Sequence, residues 1–355
     1  MITPRVDSSD PVHGFIVSWI TALAAQVEQL WVVTPRARRE PLPDNIAVYE
    51  VGRGCRKKET ILHAWLNFHR VMWHLTRDDR VDGIFAHMYP KFAILAVPYA
   101  KPRRIPLVMW YTHTSVSWQL RLAGKFVDGI VTASRGSCRL DSSKVRVVGH
   151  GIDTKRFSPS SQARHPDGAL TVLSVGRISP AKHYEVIIEA VAGLIQHDKI
   201  GNLRLRLVGD APRREQASYL EELKNLVISP GLSEHVFFEG AVPHDKVVRA
   251  YQQADVFVSA SQTGLDKAVL EAMACGLIPV VSLPEFAFTL GVYAERLIYK
   301  AGDASDLARK LQYVWSLPLD EREQLGCQMR SLVREKHDVH TLMGRVVGLF
   351  EMLNG

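Results

Sequence analysis

The charged residue that stands out in this sequence is Glu271, which interrupts an otherwise apolar stretch, AVLEAMACGL. The residues before it have the pattern of a strand that ends in a glycine turn, and a short helix carrying Glu271 follows. A carboxylate placed near the start of such a helix lies where parallel α/β sheets bind ligands. Alternatively, it only interacts favourably with the helix dipole, which contributes a few tenths to about 1 kcal/mol.

Two cations, Arg177 and Lys182, occupy a second loop of the same kind, in the segment GRISPAK after a predicted strand at 170–175. Phosphate groups require fixed positive charge, and the guanidinium of arginine offers a planar, bidentate fork for them. The loop therefore predicts a phosphate site. The alternative is that both cations are solvated surface charges.

The elements that position these residues are predicted from periodicity. In the stretch 256–283, a β-branched run is followed by a polar turn, by apolar residues at helical spacing, and by a second β-branched run. Gly276 occupies the expected position of a helix C-terminal cap, and Pro279 prevents the helix from continuing. The stretch thus predicts a strand, a turn, a helix and a strand.

The same rhythm of strands and helices runs through the whole chain, which places it in the α/β class. Further strands are predicted at 29–34, 46–51, 81–87, 105–113, 127–133, 145–148, 203–209 and 236–240. Only Met1, Ile2 and Thr3 precede a loop, so either the first strand is stunted or the chain start is not the natural one. A polar run at 158–168 with Pro159 marks a linker between two halves.

Bulk properties narrow the function classes. A length of 355 residues suggests about two domains. No apolar run approaches the roughly 20 residues of a membrane span, and no signal peptide opens the chain. The four cysteines are scattered, which is typical of free thiols in a reducing cytoplasm, and the histidines form no metal-ligand cluster. No Walker A motif, dinucleotide-binding fingerprint, hydrolase elbow or nucleic-acid module is present.

The positive charge is unevenly distributed. Residues 1–150 hold 21 Lys and Arg against 12 Asp and Glu, a net charge of +9, whereas the remaining 205 residues have a net charge of −2. A basic half indicates an acidic partner, such as anionic lipid, nucleic acid or a phosphorylated substrate. A well-solvated surface is the alternative.

One basic cluster precedes an aromatic-rich helical pattern, ILHAWLNFHRVMWHL, at 61–75. Such a combination can lie on an anionic membrane surface. The competing interpretation is a core helix that begins with surface charges, and we favour it because much of the apolar stripe is needed to cover a sheet. The cluster consists of Arg53, Arg56, Lys57 and Lys58.

Taken together, LEAMACGLIPVVS, the Gly-Arg loop with its lysine, and GHGIDTKRFSP at 149–159 resemble the signatures of the retaining glycosyltransferases of family 4. The resemblance implies the GT-B fold, in which two Rossmann-like domains face each other across a cleft and the C-terminal helix crosses back to the first domain. It implies an acceptor-binding domain at 1–155 plus the crossover helix at 340–355. The domain that binds the nucleotide sugar is expected at 168–339.

The resemblance also assigns roles to individual residues. It implies that Glu271 accepts hydrogen bonds from the ribose hydroxyls of the donor, that Arg177 and Lys182 hold its diphosphate, and that His113 reaches the donor sugar or its phosphate. Gly14 stands where the family has a glycine pair that admits the donor phosphates. The other expected donor contacts are Gly176, Gly209, Ala241, Val242, Gly264, Leu265, Asp266 and Lys267.

One position departs from the family pattern. The family has a second glutamate eight residues before the one that matches Glu271, and this chain has Thr263 there. A threonine supplies no charge near the sugar, and the loss of one such electrostatic group can lower the rate about 10²- to 10³-fold. Asp266 is a candidate substitute, so Thr263 and Asp266 join His113, Arg177 and Lys182 as candidate catalytic residues.

The resemblance implies a hexosyltransferase that retains the anomeric configuration, uses a UDP- or GDP-linked sugar as donor, and needs neither cofactor nor metal. The acceptor is expected to be a glycan or a lipid-linked molecule of surface polysaccharide or glycolipid synthesis. The protein is expected in the cytoplasm or on the inner face of the membrane, without a nucleic-acid partner. The alternatives are an inactive scaffold subunit that binds sugar nucleotides, or another GT-B reaction such as that of a phosphorylase or an epimerase.

Overall fold

Two parallel β-sheets, one in each half of the chain, form the framework of the protein in this computed structural model. The structure describes residues 1–355 except 11, 53–60, 79, 161–168, 197–199, 229–230, 244–245 and 263. The chain divides into two units. The first unit contains Met1–Gly151 and Asp338–Gly355, and the second contains Ile152–His337.

The first unit has a sheet of short strands with helices packed on it. With all elements numbered in chain order, its strands are β1 (Leu30–Thr34), β2 (Ile46–Glu50), β3 (Ile84–His87), β4 (Leu107–Trp110), β5 (Gly129–Thr132) and β6 (Val145–Val147). In strand order, β3-β4-β5-β6 form one parallel group and β1-β2 form another. Its helices are α1 (Ile16–Ala24), α2 (Ile61–Thr76), α3 (Pro90–Ala100), α4 (Trp118–Phe126) and α13 (Val339–Asn354).

The start of the chain lies between the two groups of strands. Ile2 forms isolated bridges to Val33 on one side and to Ala86 on the other, and so continues the sheet from β1 to β3. A cavity of about 700 Å³ lies at this part of the sheet, and Ile2, Leu30 and Ile84 are among the residues that line it.

The last helix belongs to the first unit, as the GT-B resemblance implies. α13 begins at an N-cap, Asp338, whose carboxylate accepts from the backbone N–H groups of His340 and Thr341 at 2.9 and 3.2 Å. The helix packs against α1, and Leu349 reaches the start of β5, where a Cβ atom at Gly129 would lie 3.0 Å from its side chain. The expected return of the C-terminal helix to the first domain is confirmed.

The second unit contains a five-stranded parallel sheet. Its strands are β7 (Leu170–Val175), β8 (Leu203–Val208), β9 (Val236–Gly240), β10 (Val256–Ser259) and β11 (Ile278–Val281), and they lie in the order β11-β10-β7-β8-β9. Its helices are α5 (Tyr184–Gln196), α6 (Arg214–Val227), α7 (Val247–Gln252), α8 (Lys267–Ala274), α9 (Ala287–Leu290), α10 (Ala294–Leu297), α11 (Ala304–Ser316) and α12 (Leu319–His337). The two parallel sheets confirm the predicted α/β class with two Rossmann-like domains.

The central stretch 256–283 folds as predicted into β10, a turn, α8 and β11. Asp266 caps α8, since its carboxylate accepts from the backbone N–H of Ala268 at 3.2 Å. Gly276 has a φ of 81°, the left-handed conformation that a glycine adopts after the end of a helix. Pro279 lies in β11, the edge strand of the sheet, where a missing N–H is tolerated.

Gly326 of α12 makes a close backbone contact with the end of α8. A Cβ atom at this position would lie 2.4 Å from the carbonyl oxygen of Gly276. We expect Gly326→Ala to lower the free energy of unfolding by about 1–3 kcal/mol, because the helices must separate to admit the methyl group. In urea unfolding the control, Gly348→Ala in α13, should be neutral or stabilising by up to about 1 kcal/mol, since its Cβ meets no atom within 4 Å. Equal effects of the two substitutions would contradict the contact.

Helix α2 packs on the core of the first unit with only part of its apolar surface. Phe68, Met72 and Thr76 are buried at a spacing of four residues, and Val71 and Leu75 pack against the core beside them. Five further apolar side chains of the helix face solvent, so the stripe covers the core as expected but extends beyond it. The basic cluster of Arg53, Arg56, Lys57 and Lys58 lies outside the described residues. No described helix is long and apolar enough to cross a bilayer.

Candidate active site

The predicted donor-binding residues of the second half converge on one edge of the second sheet. Because all five strands are parallel, the loops that follow them leave from the same carboxyl edge. The neighbouring strands β10, β7, β8 and β9 place their following loops side by side in this order. These loops carry Gly264, Gly176, Gly209 and Ala241, respectively.

Two of these glycines form a close backbone contact. A Cβ atom at Gly209 would lie 1.8 Å from the carbonyl oxygen of Gly176, so no larger residue fits there. The N–H of Gly209 donates to the carbonyl oxygen of Gly240 at 2.8 Å, which ties the loop after β8 to the end of β9. The absence of side chains leaves the backbone of the two turns accessible to a ligand that approaches this edge.

Lys182 extends across the first of these turns to the start of α8. A Cβ atom at Gly176 would lie 3.5 Å from its Cε atom, and its ammonium group forms an ion pair with the carboxylate of Asp266. The two side chains are 25% and 15% exposed, so the pair is partly shielded from water. The hydroxyl of Ser259, at the end of β10, also lies 3.5 Å from Asp266. The structure thus brings a predicted phosphate-binding cation and the candidate substitute carboxylate into direct contact.

Glu271 is buried within α8, and its carboxylate contacts Tyr251 and Lys267. The hydroxyl of Tyr251 donates to Oε2 at 3.1 Å, and the ammonium of Lys267 lies 3.7 Å from Oε1. Only 7% of the Glu271 side chain is exposed. A buried carboxylate needs such partners because its desolvation is costly. Glu271 lies in the second turn of α8, beyond the first-turn position at which interaction with the helix dipole is strongest, so this position argues against the dipole alternative.

Burial also affects Lys267, whose side chain is 22% exposed. Desolvation lowers the pKa of its ammonium from the ordinary 10.5 to about 8, although the neighbouring Glu271 carboxylate acts in the opposite direction. At neutral pH the lysine is protonated and balances the charge of Glu271. Above pH 8 it loses its proton in the folded protein but keeps it in the unfolded chain.

This difference predicts a pH-dependent stability. Between pH 8 and about 10.5 the unfolded chain binds one proton more than the folded chain, so the free energy of unfolding gains a contribution that rises with pH. The slope reaches at most about 1.4 kcal/mol per pH unit. Urea unfolding at several pH values should show this contribution in the wild type and not in Lys267→Met. The control is Lys224→Met, which replaces an exposed lysine and should keep the pH dependence of the wild type. The prediction would be contradicted if the free energies of unfolding of the wild type and Lys267→Met differed by the same amount at every pH.

The other predicted donor contacts of the second unit lie on the same edge of the sheet. Arg177 follows Gly176 directly and is exposed, as a residue that meets an incoming ligand must be. Val242 follows Ala241 in the loop after β9, and the buried Leu265 precedes the cap of α8. Gly264 has a φ of 69°, a left-handed conformation that favours glycine. Thr263 lies outside the described residues.

The two predicted site residues of the first unit lie in loops. The N–H of Gly14 donates to the carbonyl oxygen of Asp10 at 2.9 Å, and a Cβ atom at Gly14 would lie 2.6 Å from the carbonyl oxygen of Ser8. His113 is exposed beyond β4, and its Nδ1 accepts from the backbone N–H of Ser115 at 3.0 Å. Because a backbone N–H can only donate, the neutral ring carries its proton on Nε2. That nitrogen can then donate to a phosphate or sugar oxygen.

Sequence reasoning missed two tyrosines of this site. Tyr251 of α7 contacts Glu271, and the hydroxyl of Tyr184 donates to the carbonyl oxygen of Gly176 at 3.2 Å. Burial raises the pKa of Tyr184, and the neighbouring Asp266 raises it further. Both side chains are amphipathic, with a hydroxyl that needs a partner when buried, but no spacing in the sequence links them to the site. Among the described residues, no group of three or more His, Cys, Asp and Glu is arranged to hold a metal ion.

Comparison with known proteins identifies a family and a fold. The model of the family "Glycosyl transferases group 1" matches residues 155–331. The chain is 27% identical over 168 residues to mannosylfructose-phosphate synthase of Agrobacterium fabrum, and the aligned region covers 45% of this chain and 37% of that protein. It is 29% identical over 219 residues to the putative colanic acid biosynthesis glycosyltransferase WcaL of Escherichia coli, and the aligned region covers 59% of this chain and 52% of that protein. The matches thus span about a third to a half of these relatives.

Solved structures resemble the whole chain. The Anabaena protein Alr3699/HepE in complex with UDP superposes with a TM-score of 0.74 at 16% identity, covering 99% of both chains. The sucrose-phosphate synthase of Thermosynechococcus elongatus superposes with a TM-score of 0.71 at 20% identity, covering 99% of this chain and 98% of that one. At these identities the likeness shows the fold, which is GT-B. Through residues 155–331, the chain belongs to the glycosyl transferases group 1 family.

Proposed function

We propose that this protein transfers a hexose from a nucleoside-diphosphate sugar to a hydroxyl group of a glycan or lipid-linked acceptor, with retention of the anomeric configuration. The observation that carries the proposal is the cluster at the carboxyl edge of the second sheet. There a buried, oriented carboxylate, Glu271, and an ion-paired cation, Lys182, lie beside glycine turns that admit a ligand. Ribose hydroxyls and a diphosphate are the groups that such a cluster can bind.

In this proposal each residue has a separate task. Glu271 accepts hydrogen bonds from the two ribose hydroxyls, and Tyr251 and Lys267 hold its carboxylate in place. Arg177 and Lys182 bind the diphosphate, and their positive charge opposes the negative charge that grows on it as the glycosidic bond breaks. Ala241 and Val242 lie in the loop expected to meet the base. Gly264, Leu265 and Asp266 form the turn on the sugar side.

The transfer step in this proposal is the one that the resemblance to retaining glycosyltransferases implies. The bond between the anomeric carbon and the diphosphate oxygen breaks, and the acceptor oxygen forms its bond to the same carbon from the same face. The proton of the acceptor hydroxyl passes to an oxygen of the departing diphosphate, so the step requires no side-chain nucleophile. His113 donates from Nε2 to the donor sugar or its phosphate.

Asp266 has the additional task of replacing the carboxylate that Thr263 does not supply. Its ion pair with Lys182 gives it a dual effect on the donor. Before binding, it partly neutralises the cation that must hold the diphosphate. After the diphosphate has replaced Asp266 as the partner of Lys182, the carboxylate is available to stabilise positive charge that develops on the sugar.

The donor is proposed to be UDP-linked, and the acceptor to belong to polysaccharide or glycolipid synthesis. Two observations support this choice: the Anabaena neighbour forms a complex with UDP, and the name of the Escherichia coli relative refers to colanic acid biosynthesis. The basic first half of the chain, with a net charge of +9 over residues 1–150, is suited to an anionic acceptor such as a phosphorylated lipid carrier.

A nucleotide-release assay across UDP- and GDP-linked sugars, without added metal, tests the proposal. We expect release of the nucleotide from one donor, with slow hydrolysis alone and faster turnover when a crude lipid extract supplies the acceptor. Binding of nucleotide without turnover under all conditions would indicate the inactive scaffold subunit instead. A reaction that needs free phosphate and no nucleotide would indicate a phosphorylase.

A further inference from the structure

Helix α2 presents an apolar surface to solvent that the fold does not use. This surface, the α2 apolar face, consists of Ile61, Leu62, Trp65, Leu66 and Trp73, which are 75%, 61%, 49%, 51% and 57% exposed. It lies beside the buried stripe of Phe68, Met72 and Thr76 and not on the opposite side of the helix. Contiguous exposed apolar surface of this kind marks an interaction site.

Basic side chains flank the α2 apolar face. Between residues 60 and 77 the sequence contains no Asp or Glu. Arg70 is exposed on the helix, and the guanidinium of Arg103 lies 4.9 Å from the ring centre of Trp73. Arg77, just beyond the helix, is paired with Asp78 at 3.2 Å. Four further cations precede the helix in the sequence within residues 53–58, although their positions lie outside the described residues.

The chemistry of this face matches an anionic lipid surface better than a protein partner. Tryptophan has an apolar body and a polar N–H, and it concentrates at the boundary between lipid and water. Arginine can extend its charge to lipid phosphates while its aliphatic stem stays in the apolar layer. A helix of this composition lies in the plane of the bilayer boundary.

We propose that the α2 apolar face docks the protein on an anionic membrane, with Leu62, Leu66 and Trp73 inserted among the acyl chains and Arg70 and Arg103 at the phosphate level. The inference goes beyond the proposed function, because membrane docking requires neither donor nor acceptor. It is also compatible with that function, since docking would bring the enzyme to the surface at which lipid-linked acceptors lie.

Vesicle flotation of the purified full-length chain tests this proposal. Vesicles of phosphatidylcholine with 40% phosphatidylglycerol are compared with vesicles of phosphatidylcholine alone, at about 0.1 and 0.5 M salt. We expect binding to the anionic vesicles at low salt and a clear loss at high salt or without phosphatidylglycerol. The variant Leu62→Ser/Leu66→Ser should bind at least tenfold more weakly, since two inserted side chains lose their apolar contacts.

A charge variant and a matched control complete the test. Arg70→Gln/Arg103→Gln should bind anionic vesicles about 30-fold more weakly, because each cation near the surface contributes about 1 kcal/mol. The control is Val292→Ser/Leu319→Ser, which removes two apolar side chains of the second unit that are 88% and 66% exposed. It should bind as the wild type does. All variants replace exposed or flanking residues, so circular dichroism should confirm that they fold.

Three outcomes would overturn the proposal. These are no binding of the wild type to anionic vesicles, equal loss in the control and in Leu62→Ser/Leu66→Ser, and self-association in solution that this variant abolishes. The last result would assign the face to a second copy of the chain. Nucleotide release without acceptor should be the same in all variants, so a protein that docks but shows no release would refute the proposed function and leave the docking proposal intact.

Discussion

The substitution Glu271→Gln is expected to weaken binding of UDP about 100-fold and to lower kcat/KM by a similar factor. The amide that replaces the carboxylate cannot make charge-assisted hydrogen bonds to the ribose hydroxyls, and such bonds contribute about 1.5–3 kcal/mol each. Each 1.4 kcal/mol corresponds to a factor of ten in affinity. The change is isosteric, so the contact with Tyr251 and the packing of α8 are kept.

Two measurements separate the effect of this change on affinity from its effect on catalysis. Isothermal titration calorimetry with UDP gives the affinity, and turnover at a saturating donor concentration gives kcat. Because the ribose contact is made equally in the ground state and in the transition state, kcat should fall much less than the affinity. The control is Glu221→Gln on α6, an exposed glutamate of the same unit whose side chain is 66% exposed. A Glu271→Gln protein that binds UDP within twofold of the wild type would show that Glu271 is a structural carboxylate.

The substitution Asp266→Asn is expected to act in opposite directions on binding and on turnover. Asparagine keeps the cap of α8, because it is as good an N-cap residue as aspartate. It removes the negative charge that pairs with Lys182, so that the lysine binds the diphosphate without competition and UDP binds a few-fold more tightly. The loss of the carboxylate near the developing positive charge should lower kcat about 10²- to 10³-fold.

The control for this prediction is Asp303→Asn, the same change at the N-cap of α11, where the side chain accepts from the N–H of Asp306 at 2.9 Å. It should leave both UDP affinity and kcat unchanged. A second variant, Asp266→Asn/Thr263→Glu, places a carboxylate where the family has one and should recover part of the lost kcat. If Asp266→Asn keeps kcat within twofold, Asp266 only caps the helix and pairs with the lysine.

The architecture of the second unit could largely be predicted from the sequence. The stretch from β10 to β11 combines β-branched runs, a turn, helical spacing and Gly276 within 26 residues, and each of these signals is local. The predicted strand bounds at 170–175 and 236–240 coincide with β7 and β9. Other predicted strands, such as 105–113, were longer than β4 (Leu107–Trp110), because apolar residues continue beyond the last ladder hydrogen bonds.

The candidate site was predictable as a set of residues but not as a set of contacts. Arg177, Lys182 and Glu271 stand out because charged residues in glycine turns or apolar helices are locally anomalous. Their roles in catalysis stay predictions. The ion pair between Lys182 and Asp266 joins residues 84 positions apart, and the contact between Tyr251 and Glu271 joins two different helices. No local pattern encodes either partner.

By itself, the sequence determined the strands of the second sheet, the helix α8 with its glycine at the C-terminal end, and the charged residues that are unusual for their surroundings. All of these depend on neighbouring residues in the chain. Only the tertiary structure decided how α2 is used. Its periodicity indicates an amphipathic helix, but the periodicity does not determine how much of the apolar surface is buried by neighbouring elements. The packing of α2 buries Phe68 and Met72 and leaves Leu62, Leu66 and Trp73 in solvent. Burial is a property of the surfaces that meet in space, and those surfaces come from segments distant in sequence.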